Sequence, residues 1–245
     1  MIGNGDVSFL TRFLGEQERH PAHPAARVRE VAAGAATSVA AQPVLRPSNS
    51  LKDFLWHISD VRNGRLLDLG PVAQSTISFF LERGYKIYSE DVLRGWREHL
   101  ALEEKRLLAA QVGGPVSPHE FAKPAIAARF LESNLRHPAG TFNAALLWDT
   151  CDFLDAEAMA PLVTRVLELL RPGGVILALF HSRKPEGFYR YRVHDKENIE
   201  LLPARPLFPQ VRILQNRDLL NLFGGFRTSK TFVGRDHLRE SIYVK

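Results

Sequence analysis

Two stretches constrain the fold most: Leu66-Leu67-Asp68-Leu69-Gly70, and Tyr85-Lys86-Ile87-Tyr88-Ser89-Glu90-Asp91. An apolar run closed by an acid and a glycine reads as a buried strand entering a tight turn. A helix-length gap follows, then a second apolar run ending in two acids. Strand, turn, helix, strand, acid is how the nucleotide-binding half of an open α/β sheet begins. The turn is atypical, because Gly70 leads into Pro71-Val72-Ala73-Gln74 and not into further glycines. Gly70 still permits the first tight bend, while Pro71 removes an amide donor.

The rest of the chain continues the alternation. Ser50 reads as the N-cap of a helix over Leu51–Val61. Strands are expected at 65–69 and 86–89, with a helix from Ser75 to Arg83 between them. A long helix spans Arg94–Gln111. Ala125–Leu131 reads as a helix approaching a short or irregular third strand near Leu131. Phe142–Trp148 has the continuous apolar character of a buried strand, and Ala156–Leu170 the spacing of a helix. Arg171-Pro172-Gly173-Gly174 is a turn before a strand at Val175–Phe180. Phe188–Val193 and Arg212–Leu214 read as edge or insertion strands. Asn216–Phe223 is a helix, followed by paired strands at Phe226–Val233 and Glu240–Val244.

The order of these elements from Leu66 to Val244 resembles a class I S-adenosylmethionine-dependent methyltransferase. Leu67-Asp68-Leu69-Gly70 looks like that family's first strand and turn, Phe142–Asp149 like its fourth strand, and Leu169–Gly174 like the turn before its fifth. Leu219–Phe226 followed by Arg239–Val244 looks like its closing helix and hairpin. The resemblance implies a Rossmann-like α/β fold, a mostly parallel seven-stranded sheet with a C-terminal antiparallel hairpin. It implies S-adenosylmethionine as cofactor and methyl transfer to an oxygen or nitrogen of a small molecule. Asp68, Gly70, Asp91, Asn134 and Trp148 then become the candidate cofactor-binding residues. Asp91 stands for the acid that holds both ribose hydroxyls, with Glu90 its neighbour, and Asn134 for the acid that contacts adenine. The family's glycines are replaced by Val72 and Gln74, which narrows or reshapes the pocket. A non-catalytic binding or assembly protein on the same fold is the alternative. A nicotinamide-dependent oxidoreductase is disfavoured by the missing glycines and the terminal hairpin.

Asp149 and His181 are the candidate catalytic residues. Both follow strands at the sheet edge where open α/β sheets bind ligands, and an unperturbed histidine titrates near neutrality. Arg183, Lys184, Arg190 and Arg192 form a candidate positive wall for an acidic substrate. The net charge of +5 is spread without a basic stripe, and no Asn-Pro-Pro-Tyr-like motif follows Trp148. Both argue against nucleic acid. Cys151 is the single cysteine, so neither a disulfide within the chain nor a cysteine metal site is available, and the histidines are too dispersed to suggest a metal. No apolar run reaches membrane-spanning length, and the reading is a cytoplasmic protein. Residues 1–47 are expected to form a helix at Val7–Arg19 and a Pro/Ala-rich linker, with the compact domain at 48–245. The apolar side of that helix is a candidate homodimer surface.

Overall fold

The computed structural model describes residues 42–114, 117, 119–209 and 212–245. The expected N-terminal helix and its dimer surface lie outside the described residues. The elements run β1 (Val44–Pro47), α1 (Asn49–His57), β2 (Arg65–Asp68), α2 (Gln74–Leu81), β3 (Lys86–Ser89), α3 (Val92–Gly113) and α4 (Lys123–Ser133). They continue with β4 (Phe142–Trp148), a 3-10 turn at Thr150–Phe153, α5 (Ala156–Leu169), β5 (Leu170–His181), β6 (Phe188–Val193), β7 (Asn198–Ala204), α6 (Asn216–Leu222), β8 (Thr228–Val233) and β9 (Leu238–Val244).

The main sheet has the order β3-β2-β4-β5-β9-β8. The first four strands are parallel, and β9 and β8 close the sheet as an antiparallel hairpin. This mixed α/β topology resembles the Rossmann-like class I methyltransferase fold. The sheet has six strands among the described residues, not seven. The expected third strand is absent because helix α4 runs through Leu131 to Ser133. Proline lies in its first turn, where no amide donor is needed, and Ile126, Ala127 and Phe130 are its buried face.

Alternation along the strands divides the core. Leu67, Ala145, Ile176, Ala178 and Phe180 face one side, packed with residues of α3, α4, α5 and α6. Leu66, Leu146, Val175, Leu177 and Leu179 face the other, packed with α1, α2 and part of a second sheet.

That second sheet has the order β1-β7-β6 and is antiparallel throughout. It corrects three expectations. Val44–Pro47 belongs to the folded unit and not to the linker, because its backbone pairs with Asn198–Leu201. Strand β7 arises at 198–204, whereas Arg212–Leu214 carries no strand. Ser48, not Ser50, caps α1, its side chain accepting from Leu51 N at 3.0 Å.

Ser50 serves the union of the two sheets instead. Glu240 on β9 is almost fully buried. Its Oε2 accepts from Ser48 Oγ and Ser50 Oγ at 2.6 Å each and from Ser50 N at 3.0 Å. Its Oε1 pairs with Arg46, which also pairs with Asp236. Burial pushes the Glu240 carboxyl up, but these donors outweigh it and the net shift is downward. The three-stranded sheet is thereby fixed to the hairpin of the main sheet by a charged, satisfied network.

Candidate functional site

The C-terminal ends of β2 and β4 bring Asp68, Gly70 and Trp148 together. Asp68 is 1% exposed. Its Oδ1 accepts from Gly70 N at 3.1 Å and from Trp148 Nε1 at 2.8 Å. Burial raises its pKa to about 6, with the indole and Gly70 donors opposing. The indole lies directly over Gly70: a Cβ at that position would stand 2.5 Å from Trp148 Cδ1. Gly70 is therefore required for close approach, and what approaches is the chain's own tryptophan.

Trp148 is held from three directions. Its φ of +51° ends β4 in the left-handed region, which a bulky residue enters only under constraint. Asp68 holds its nitrogen. Tyr191, from β6 of the smaller sheet, stacks with the indole, their centroids 6.0 Å apart and planes 12° apart. Strand β6 is itself tied to the turn helix, since Val193 N donates to the buried Thr76 Oγ1 at 2.9 Å. The smaller sheet thus covers the edge where the first turn opens.

The cleft left between Gly70, Pro71, Asp91, Trp148, Asp149 and Tyr191 encloses about 30 Å³. That is room for about one water, against roughly 300–1,000 Å³ for pockets that bury a small-molecule ligand. As folded here, the Trp148 indole over Gly70 narrows the cleft at the turn.

Asp91 borders the cleft two residues past the end of β3, and it is also the N-cap of α3. Its Oδ1 accepts from Arg94 N at 3.1 Å, and Ser89 is the residue opposite Asp68. Glu90 turns away, accepting from Leu135 N and lying 3.1 Å from His137 Nε2. Asn134 is not a wall of the cleft. It ends α4, and its Nδ2 donates to Phe130 O at 2.8 Å, the cap role available to asparagine wherever a helix ends.

Asp149 and His181 meet, as their strand-end positions suggest, and two residues missed in the sequence complete the group. Asp152 is fully buried, and its Oδ2 accepts from His181 N at 2.7 Å and His181 Nδ1 at 2.8 Å. Asp149 Oδ2 is 3.9 Å from the same ring nitrogen. The Tyr191 hydroxyl lies 3.4 Å from His181 Nε2. Burial lifts Asp149 to about 7, against the pull of His181, and also raises Asp152. Burial alone would lower His181, but the two carboxylates prevail and its net shift is upward. Burial raises the Tyr191 phenol well above its ordinary range. Among the described residues, Asp149 Oδ2 and Asp152 Oδ1 have no hydrogen-bond partner. Such a group can hold and exchange protons near neutrality, but Tyr191 stands between His181 Nε2 and the cleft.

The signal for Asp152 was its place three residues after Asp149, and for Tyr191 the apolar alternation of Phe188–Val193. Neither reveals a long-range partner by spacing. Cys151 is buried, and burial drives its thiol pKa upward, so it is an inert filler. Among the described residues no group of three or more His, Cys, Asp or Glu is placed to hold a metal. No helix there is long and apolar enough to cross a membrane. Arg192 pairs with Glu200 and is not a free member of a positive wall.

No family model and no curated protein matches the chain. Solved structures do match at low identity. One is the Burkholderia thailandensis 1,6-didemethyltoxoflavin-N1-methyltransferase with bound 1,6-didemethyltoxoflavin and S-adenosylhomocysteine. It is 20% identical, with 80% of this chain and 76% of that one covered and a TM-score of 0.42. Another is a SAM-dependent methyltransferase from Methanosarcina mazei, 14% identical, with 78% and 96% covered and a TM-score of 0.39. A third is the [4+2]-cyclase SpnF, 12% identical, with 79% and 78% covered and a TM-score of 0.42.

Proposed function

We propose that the chain is a methyltransferase-like binding or assembly protein that works without S-adenosylmethionine. It departs in this from the methyltransferase acting on a small-molecule oxygen or nitrogen that its motif order implies. The observation that carries the reading is the Trp148 indole over Gly70, bonded to Asp68 in a cleft of about 30 Å³. The residues expected to bind cofactor each make contacts within the chain. Asp68 holds Trp148, Gly70 admits it, Asp91 caps α3 and Asn134 caps α4. The buried group of Asp149, Asp152, His181 and Tyr191 then fixes the smaller sheet over the strand ends instead of serving a methyl acceptor. A fold alone does not impose chemistry.

Calorimetric titration with S-adenosylmethionine and S-adenosylhomocysteine tests this, using the full chain and Trp148→Gly side by side. The glycine removes the indole and suits the positive φ, and urea unfolding checks that the variant folds. Expected is no heat of binding to the intact protein at millimolar ligand. Micromolar binding to the intact protein, lost in Asp91→Ala, overturns the reading and restores a working cofactor site. Binding gained only by Trp148→Gly would show that the indole is the whole barrier.

A further inference from the structure

The roomier hollow lies elsewhere, between α6 and the β8–β9 hairpin. It has a volume of about 480 Å³ and is lined by Asn216, Leu219, Phe223, Phe226, Arg227, Thr231, Arg239 and Tyr243, among others. One wall is flat and apolar: Phe223 and Tyr243 stack with centroids 3.9 Å apart and planes 7° apart, and Phe226 tilts against both. The opposite character comes from two arginines, while none of the lining residues is an acid.

Arg239 is 6% exposed. Its guanidinium is fixed by Asn216 Oδ1 at 3.0 Å and by the Leu214 carbonyl, yet its Nε, itself closed off from solvent, has no hydrogen-bond partner among the described residues. A buried cationic donor without a partner is costly, and the fold retains it beside a hollow of ligand size. Asp152 is near enough to feel the charge, but it bonds to His181 and not to Arg239. Arg227 is exposed on the same hollow. Asn216 gives its oxygen to Arg239, which leaves its amide nitrogen as a further donor.

We propose that this hollow is a binding site for a small anion with a flat apolar body, the chemistry shared by aryl carboxylates and aryl phosphates. The ring lies along the Tyr243–Phe223 wall, where an aromatic surface gains from stacking. The anionic group turns toward Arg239 and Arg227, where charge-assisted hydrogen bonds are strong. The site shares no lining residue with the closed cleft, so it stands whether or not that cleft takes a cofactor.

The probe is phenyl phosphate, with inorganic phosphate and benzyl alcohol as its separated halves. Binding to the full chain is followed by NMR, including the Arg239 Nε–H signal. Expected are shifts confined to the hollow and a displaced Arg239 Nε–H signal. Each half should bind at least about tenfold more weakly than the whole, since one hydrogen-bonded charge or one ring is worth that much. Arg227→Glu, an exposed change that spares the fold, should weaken phenyl phosphate by about tenfold or more. The proposal fails if millimolar phenyl phosphate leaves Arg239 Nε–H unmoved, or if Arg227→Glu binds as well as the parent. It also fails if that Nε–H shows only a long-lived water, shared with Asp152 Oδ1, that phenyl phosphate does not disturb.

Discussion

The cleft at the ends of β2 and β4 and the hollow beside the hairpin differ in how their polar groups are used. In the cleft, Asp68 Oδ1 is engaged twice, the indole nitrogen is bonded, and about 30 Å³ remains. Beside the hairpin about 480 Å³ stays open, and a buried guanidinium keeps an unpaired donor. In the proposed reading, the place that a motif marks as a ligand site is narrowed by the chain's own tryptophan. The place that no motif marks has kept the space and the unmet charge. Satisfied polar groups define one structure, while unsatisfied ones at a cavity ask for a partner.

The comparison rests first on the seal, and the largest effect is expected there. Glu240→Gln removes the charge that pairs with Arg46 and receives both serine hydroxyls. An almost fully buried partner broken on one side costs about 3–5 kcal/mol, read as a lower urea midpoint. Loss of β1 pairing should accompany it, as faster amide exchange at Leu45 and Arg46. A variant as stable as the parent would mean that the smaller sheet is not held in place by Glu240.

Next comes pH, which separates the seal from the group beneath it. Asp149 has a folded pKa of about 7 and Asp68 of about 6, both above the ordinary 3.8. The folded state therefore binds protons more tightly than the unfolded state, and stability falls as pH rises from near 4 to 7. His181, also raised, acts in the same direction: its contribution is present below 6.5 and lost as pH rises through its folded value. Glu240 has the opposite sign. Its folded pKa is lowered, so its contribution is present above 4.5 and lost as pH falls through the folded value. Urea unfolding should show greatest stability near pH 4 and a loss of several kcal/mol by pH 8. Asp149→Asn should remove much of the alkaline loss, and a flat profile in the parent would refute the buried charge balance.

Gly70→Ala probes the closed cleft more gently. The added methyl meets the indole at 2.5 Å, and relief requires moving a ring held by Asp68 and Tyr191. Overpacking of this kind costs about 1–3 kcal/mol, with a change in tryptophan fluorescence. A neutral result would show that Trp148 leaves Gly70 free in solution, and the cleft would again be a candidate for cofactor.

The sequence made the strands, the closing hairpin and the convergence of Asp68, Gly70 and Trp148 legible, because periodicity and strand-end position are local properties. The expectation that Val72 and Gln74 narrow the pocket is not met, since both side chains are exposed and neither lines the cleft. The sequence did not show that Trp148 would be the occupant, which depends on a φ of +51° and on Tyr191, 43 positions away in the chain. Asn134 and Asp91 carried ligand readings, but side chains at helix ends are as readily used for caps. The helix expected at Ala125–Leu131 is present, while the third strand expected near Leu131 is not, because α4 continues to Ser133. Arg239 could not be singled out at all, since the cost of its unpaired Nε exists only once Leu214 and Asn216 are in place.

The smallest effect is the one that divides the two regions most cleanly. Arg227 is exposed, and among the described residues its side chain makes no hydrogen bond or ion pair that would be lost on truncation, so Arg227→Ala should alter stability by no more than about 0.5 kcal/mol. The same change should weaken phenyl phosphate, because the exposed arginine is then a ligand contact and not a fold contact. Residues of the closed cleft behave in the reverse way: Gly70 and Trp148 substitutions move stability and leave phenyl phosphate binding intact. Urea midpoints and NMR titrations on one set of variants check both halves. If Arg227→Ala shifts the midpoint as much as Gly70→Ala does, the hairpin hollow is part of the fold's own support, and the contrast between a filled and a waiting cavity is lost.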